Sequence, residues 1–362
     1  MNMKGNDKQM IYKGIDKTKI KGFTVELIDI EKLISNDNVI FQEKLPGIAV
    51  EDTQGEMRSI NYLKIKDGHI FNTLAIGSKL NKGVPNNYSH IDIHISELTD
   101  NNLKPLKIEE YRNLLNRLKG YLESRYGLYI NLEKAKFEEL EINVTAKMDK
   151  EFIEYEYLLE QMIYLVPKVY EISPYIGKDR ALKQYEFFNG STEAKVYDKT
   201  RQLQEKFKIS LDKQYMRIEY TLHKPKKIQS CLGTEYVYQM TDQAITDYLK
   251  KQINKDLIKP IEKHIKEGDK QLLQMAIESK ETDSRKWAKS FTGTALAERL
   301  DKRNGKLPLV IDLEQVKKAI KKVSTNKSNC NKTLARLQTE FDRYPFINDN
   351  LEKLQEIKDK FV

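Results

Sequence analysis

The chain has 362 residues, with 63 Lys and Arg against 54 Asp and Glu, a net charge of +9. That length suits two domains with apolar cores of their own; with only Cys231 and Cys330 present, it excludes a small disulfide-stapled scaffold. No apolar run is long enough to span a bilayer, and Met1 to Lys21 lacks the apolar stretch of a secretory signal, so a cytoplasmic protein is expected.

The charge is uneven. Residues 241–362 hold 26 basic and 19 acidic side chains, whereas residues 1–240 hold 37 and 35. A positive field in the C-terminal third suits a DNA-binding module on a nearly neutral body, with an affinity that falls as salt rises. A Lys-rich solvated helical surface would give the same count. Twenty Tyr against one Trp supply rings that serve cores and base stacking alike.

In chain order, period-2 alternation predicts strands at Phe23–Ile28, Ser59–Ile65 and His90–Ile95, with turn-rich gaps at Lys66-Asp67-Gly68 and Asn81–Asn87. Leu106–Tyr126 carries Ile108, Tyr111, Leu114, Leu115, Leu118, Tyr121 and Leu122 at helical spacing, and Gly127 stops it. A strand at Glu139–Thr145 precedes a helix over 151–170. Strands at Lys183–Phe188 and Ala194–Tyr197 meet at the hairpin signal Asn189-Gly190, and a last strand, Tyr215–Leu222, ends before Lys224-Pro225. The order implies an α+β domain over residues 1–235, an antiparallel sheet backed by helices. From 236 to 362 only helices are expected, near 241–265, 269–280, 284–303, 312–324, 331–342 and 349–361. The pair flanking Ser324–Asn329 is compatible with a DNA-binding helix-turn-helix or with a plain bundle, and places Lys317, Lys318, Lys321, Lys322, Lys327, Lys332 and Arg336 at hand for phosphates.

Three strands carry acidic side chains on their polar faces. Asp92 shares one with His90 and His94, Glu141 with Glu139 and Asn143, and Glu219 with Arg217. Converging, they form a hard-oxygen and imidazole donor set for Mg²⁺ or Mn²⁺; apart, they are solvated sheet faces. Lys195-Val196-Tyr197-Asp198-Lys199 follows the hairpin. Cutting a phosphodiester through a phosphotyrosine needs a positioned hydroxyl, a divalent cation and a basic side chain. Tyr197 offers the first and Lys199, on the same strand face, the third; a Tyr in a strand is also a packing residue.

Asn72–Gly77, Ile91-Asp92-Ile93, Leu140-Glu141-Ile142 and Lys195-Val196-Tyr197-Asp198-Lys199 with Arg217-Ile218-Glu219 downstream resemble a known group. It comprises the replication initiation proteins of rolling-circle plasmids and filamentous phages, the Rep_trans and gene II-like relatives of HUH endonucleases. The resemblance covers roughly residues 70–225. It implies an HUH/Rep-like palm with Tyr197 as nucleophile, Lys199 stabilising charge, and Asp92, Glu141 and Glu219 at a divalent cation, with His94 beside them. Lys195 and Arg217 would lie against DNA. Two departures stand out: Asp92 separates the two His residues, and Gly190-Ser191-Thr192-Glu193 stands where relatives carry Gly-Ser-Arg. Tyr185, Tyr175 and Tyr170 remain alternative nucleophiles. The resemblance further implies double- and single-stranded origin DNA as substrate, a host helicase and polymerase as partners, and leaves a homodimer open. A non-cleaving DNA-binding initiator and a mobilisation relaxase are the alternative readings.

Overall fold

The structure is a computed structural model describing residues 11–41, 48–51, 57–60, 62–81, 84–94, 103–176, 182–300, 310–342 and 349–362. Contacts divide the chain into two compact units, one from residues 1–146, 188–211 and 217–249, the other from 147–187, 212–216 and 250–362. The expected single boundary near 235 follows chain order, whereas compactness follows contacts between segments distant in sequence.

The elements run β1 (Ile11–Lys21), β2 (Thr24–Leu27), α1 (Ile30–Ile34), β3 (Val39–Phe41), β4 (Ile48–Glu51), β5 (Met57–Ile60), β6 (Tyr62–Lys66), β7 (Thr73–Asn81), β8 (Val84–His94), α2 (Ile108–Tyr126), β9 (Leu128–Asn131) and β10 (Lys136–Met148). There follow α3 (Phe152–Tyr164), β11 (Glu171–Ile176), β12 (Leu182–Asn189), β13 (Thr192–Asp198), α4 (Lys199–Phe207), β14 (Gln214–His223) and α5 (Pro225–Leu232). The remaining described elements are helical: α6 (Asp242–Ile253), a π-helical turn over Asn254–Ile258, α7 (Lys259–Glu278), α8 (Ser284–Leu300), α9 (Leu313–Val323), α10 (Lys327–Phe341) and α11 (Asn350–Phe361). Ile95, expected to close the third strand, lies outside the described residues. No described helix is long and apolar enough to cross a membrane.

In the first unit the strands lie in the order β13-β14-β10-β1-β8-β7-β6-β3. The pairs β10/β1, β1/β8, β8/β7, β7/β6 and β6/β3 are antiparallel. Thus β1, which the alternation does not announce, is a central strand. Its register against β10 slips between Ile15 and Lys17 and again between Lys19 and Ile20. The first slip adds Asp16 to β1 and shifts the phase of its pleat, so Ile15 and Ile20 both face the core across an odd spacing; the second adds Glu138 to β10. Helix α2 buries Ile108, Tyr111, Leu115, Leu118 and Leu122. The Tyr111 hydroxyl lies 2.8 Å from Thr18 Oγ1 on β1, and its ring 5.9 Å from Phe137 on β10.

Gly127 ends α2 in the left-handed region, φ 62°, where its carbonyl accepts from Ile28 and Asp29 N–H at 2.7 and 3.1 Å. A Cβ there would sit 2.3 Å from the Asp29 carbonyl oxygen. Gly127→Ala adds the left-handed penalty of about 1–2 kcal/mol to that clash. We expect a stability loss of about 2 kcal/mol or more from the urea midpoint; a shift under about 0.5 kcal/mol would show that the junction relaxes freely.

In the second unit α7, α8, α9 and α10 share a core built on Leu272, Trp287, Phe291, Val316, Leu337 and Phe341. Asp312 and Asn326 cap α9 and α10, whose ends are three residues apart. Gly268 is buried inside α7, so the helix runs on where a break between 265 and 269 is predicted. Lys318, Lys321, Lys322, Lys327, Lys332 and Arg336 are exposed; Lys317 is paired with Glu314 at 2.8 Å, and Arg336 donates to Ser284.

Candidate active site

Four neighbouring strands, β13, β14, β10 and β1, each bring one residue to a common place on the sheet. Glu141 on β10, Glu219 on β14 and Asp16 on β1 offer carboxylate oxygens all within 4.8 Å of one another. Glu141 faces Lys17 in the register, while Ile15 faces Ile142. Asp16 is therefore the extra residue of the first bulge. The bulge turns Asp16 towards the polar face that its neighbour Lys17 also occupies, which regular alternation would forbid.

A buried guanidinium holds this acidic group together. Arg217 is 0% exposed. Its Nη1 lies 2.9 Å from Asp16 Oδ2 and 3.6 Å from Glu219 Oε1, its Nε donates to Thr145 Oγ1 at 2.6 Å, and its Nη2 donates to the Leu103 carbonyl at 2.8 Å. Gly14 admits the segment carrying Leu103, since a Cβ there would stand 2.2 Å from the Leu106 oxygen. Arg217, expected to lie against DNA, is instead fully buried with its donors committed to Asp16, Thr145 and the Leu103 carbonyl.

Tyr197 on β13 donates its hydroxyl proton to Glu219. The residue is only 4% exposed, and burial, with Glu219 beside it, pushes the phenol well above its ordinary value. Lys199 does not extend the strand face as expected. Asp198 accepts from Arg201 N–H at 2.9 Å and caps a helix, so Lys199 is the first residue of α4. Its Nζ lies 5.9 Å over the Tyr197 ring and donates to Gln202 Oε1 at 2.7 Å. Burial, and then the Arg217 charge, pull Lys199 down to about 7. Lys195 lies partly exposed, 2.6 Å from Glu193.

Burial, then Glu219 and Asp16, push Glu141 up to about 8. Burial raises Glu219 as well, against the pull of Arg217. Arg217 offsets part of the negative charge, and burial first, then the repulsion from Glu219 and Asp16, keeps the Glu141 proton in place. The donor set fits a hard divalent cation such as Mg²⁺ or Mn²⁺. On the same strand face, Asn143 Nδ2 is buried with no hydrogen-bond partner among the described residues. The sign of the pH dependence follows. Without a cation, the folded chain holds a Glu141 proton that the unfolded chain releases near 4.5, so stability falls as pH rises from there through about 8. A cation must displace that proton, so Mn²⁺ affinity should rise about tenfold per pH unit and level off above about 8. Calorimetric titration across roughly pH 6 to 9 checks this, and an affinity independent of pH would remove Glu141 from the ligand set.

The other expected ligands lie elsewhere on the sheet. Asp92 and His94 are on β8, opposite Lys19 and Lys17 of the intervening β1. Ile91 and Ile93 are buried between them, so the shared polar face of 90, 92 and 94 is as read, and His90 approaches Asp92 at 3.9 Å. A whole strand separates Asp92 from Glu141, roughly 10 Å across two strand spacings, and Lys17 and Lys19 occupy the gap. The structure thus brings together Tyr197, Lys199, Glu141 and Glu219, leaves Asp92 and His94 apart, and adds Asp16. Only a weak signal in the sequence pointed to Asp16: a lone acid between Ile15 and Ile20 in a Lys-rich stretch. Among the alternative tyrosines, Tyr185 donates to the Glu156 carbonyl at 3.0 Å and Tyr170 to Asp256 at 3.1 Å, both within the second unit. The side chain of Tyr175 lies outside the described residues.

No family model matches this chain. No curated protein matches it. A solved rolling circle replication initiator protein from Geobacillus stearothermophilus is similar at 12% identity over 68% of this chain and 86% of that one, with a TM-score of 0.35. A likeness of that size carries no argument for function, which rests on the residues themselves.

Proposed function

We propose that the chain is a plasmid or phage replication initiator that nicks one DNA strand at an origin through a phosphotyrosine on Tyr197. The observation that carries this reading is the Tyr197 hydroxyl donating to Glu219 inside the three-carboxylate group, with Lys199 over its ring. The short motifs of the sequence support it in their order. Tyr197 Oη attacks the phosphorus, its proton passes to Glu219, the bond to the 3′ oxygen breaks, and Lys199 gives that oxygen a proton. Glu219, raised by burial, is a stronger base than an ordinary carboxylate, and Lys199 near 7 readily yields its proton. The products are a free 3′-OH that a polymerase extends and a 5′-phosphotyrosine that keeps the bond energy for rejoining. Asp16, Glu141 and Glu219 would hold the divalent cation, which when bound neutralises charge on the phosphoryl oxygens. Because Tyr197 is buried, DNA binding must uncover it. The basic surfaces of α9 and α10 are assigned to duplex phosphates, and Lys195 to the strand being cut.

Nicking of a supercoiled plasmid carrying the DNA beside the gene, with Mg²⁺ or Mn²⁺, tests the reading. Relaxed product joined covalently to the protein supports it. A second reading draws on one observation, the burial of the Tyr197 hydroxyl: the network would then be an internal scaffold of an initiator that binds the origin and recruits a helicase without cutting. Origin binding with no nick under any divalent cation would select that alternative.

A further inference from the structure

A cleft opens in the first unit at the end of β6, away from the carboxylate group. It encloses about 600 Å³ and is lined by Asn38, Lys66, Asp67, Gly68, His69, Tyr121 and Arg125, a size that suits one small ligand. Its floor is held rigidly. Asp67 accepts from the Tyr121 and Tyr126 hydroxyls at 2.8 and 2.6 Å and from the N–H groups of Gly68 and His69 at 2.9 and 2.7 Å. Burial alone would raise this carboxyl, but the bonds from Tyr126, His69 N–H and Tyr121 hold it below its ordinary value. Its charge is thus spent on internal donors, while Arg125 and Lys66 stand exposed at the rim. The walls are aromatic: the His69 and Tyr121 ring centroids are 5.6 Å apart at 42°, and the Arg125 guanidinium carbon lies 5.8 Å from the centroids of both Tyr121 and Tyr126.

Flat rings beside two exposed cations, on a preorganised loop, are what a nucleotide requires: a π-face for the base and positive charge for the phosphate. We infer that this cleft binds one nucleotide of a single DNA strand, with the base against His69 and Tyr121 and the phosphate between Arg125 and Lys66. The inference rests on the reading that the chain handles DNA, and it adds a holding site apart from the cutting site.

The test uses the full chain and a fluorescent oligo(dT) strand followed by anisotropy at fixed salt. His69→Ala and Arg125→Ala should each weaken binding by roughly tenfold. Gly68→Trp should do the same by filling the cleft, since a Cβ at Gly68 meets nothing within 4 Å. Tyr121→Phe keeps the ring and should bind almost as the parent does, whereas Tyr121→Ala should not. Parent-like affinity in His69→Ala and Arg125→Ala overturns the site, and thymidine monophosphate binding in place of the strand overturns its assignment to DNA. The two readings fail separately. Absence of nicking with binding that still depends on His69 and Arg125 counts against the nickase alone, and nicking with unaltered strand affinity counts against the cleft alone.

Discussion

Tyr197→Phe should abolish nicking and the covalent adduct together, a loss on the order of 10³-fold or more, because the substitution removes the one atom that would form the new bond. The ring keeps its place on β13 and nearly its volume. What the interior loses is the donor to Glu219, which costs about 1–2 kcal/mol for a buried acceptor left short of a partner. Origin binding should therefore survive, and circular dichroism should show a folded chain. Peptide mapping of protein trapped on an origin oligonucleotide reads the attachment point directly. An adduct on Tyr185, Tyr175 or Tyr170 would preserve the enzyme and move its nucleophile. Wild-type nicking by the Phe variant would exclude Tyr197 outright.

Arg217→Met should give the largest stability loss of any single substitution at the site. The guanidinium is fully buried and bonded to Asp16, Thr145 and the Leu103 carbonyl, with Glu219 within 3.6 Å. Removing it leaves three carboxyl groups facing one another with only the buried Lys199 amine as an internal counter-charge. Breaking a buried pair of this kind costs about 3–5 kcal/mol, or roughly 10 °C in Tm for a unit of this size. Saturating Mn²⁺ should restore part of the loss in Arg217→Met and far less in an Arg217→Met, Glu141→Gln double variant, since a bound cation would replace the missing charge. A thermal midpoint within 2 °C or so of the parent would show that Arg217 does not balance the carboxylates.

Several elements were readable from local pattern. Helix α2 announced itself through apolar residues at 108, 111, 115, 118 and 122 and a Gly stop, because a helix that covers a sheet must repeat its apolar side every 3.6 residues. Strands β8, β10 and β14 declared Asp92, Glu141 and Glu219 as polar-face residues, because successive side chains on a strand point to opposite faces. The turn at Asn189–Thr192 was legible too: Asn189 Oδ1 accepts from the Ser191 and Thr192 N–H groups at 3.0 and 3.1 Å, a local interaction that needs no tertiary context.

Local pattern alone determined, then, which side chains are polar on which strand, where the chain turns, and that the C-terminal third is basic and helical. Strand order was decided only in the folded sheet. Nothing in the residues of β8 or β10 says that β1 inserts between them, which parts Asp92 from Glu141 and sets Lys17 and Lys19 in the gap. Nor does the β1 sequence declare a strand, because a bulge breaks the period on which such a reading depends. That bulge supplies Asp16, and a bulge is selected by its pairing partner as much as by its own residues. The burial of Arg217 is likewise a tertiary result. In sequence it is one more cation on a polar face; in the sheet, Asp16, Thr145 and Leu103 converge on it from segments 201, 72 and 114 residues away. That closure turns a surface charge into the internal counterion of the site.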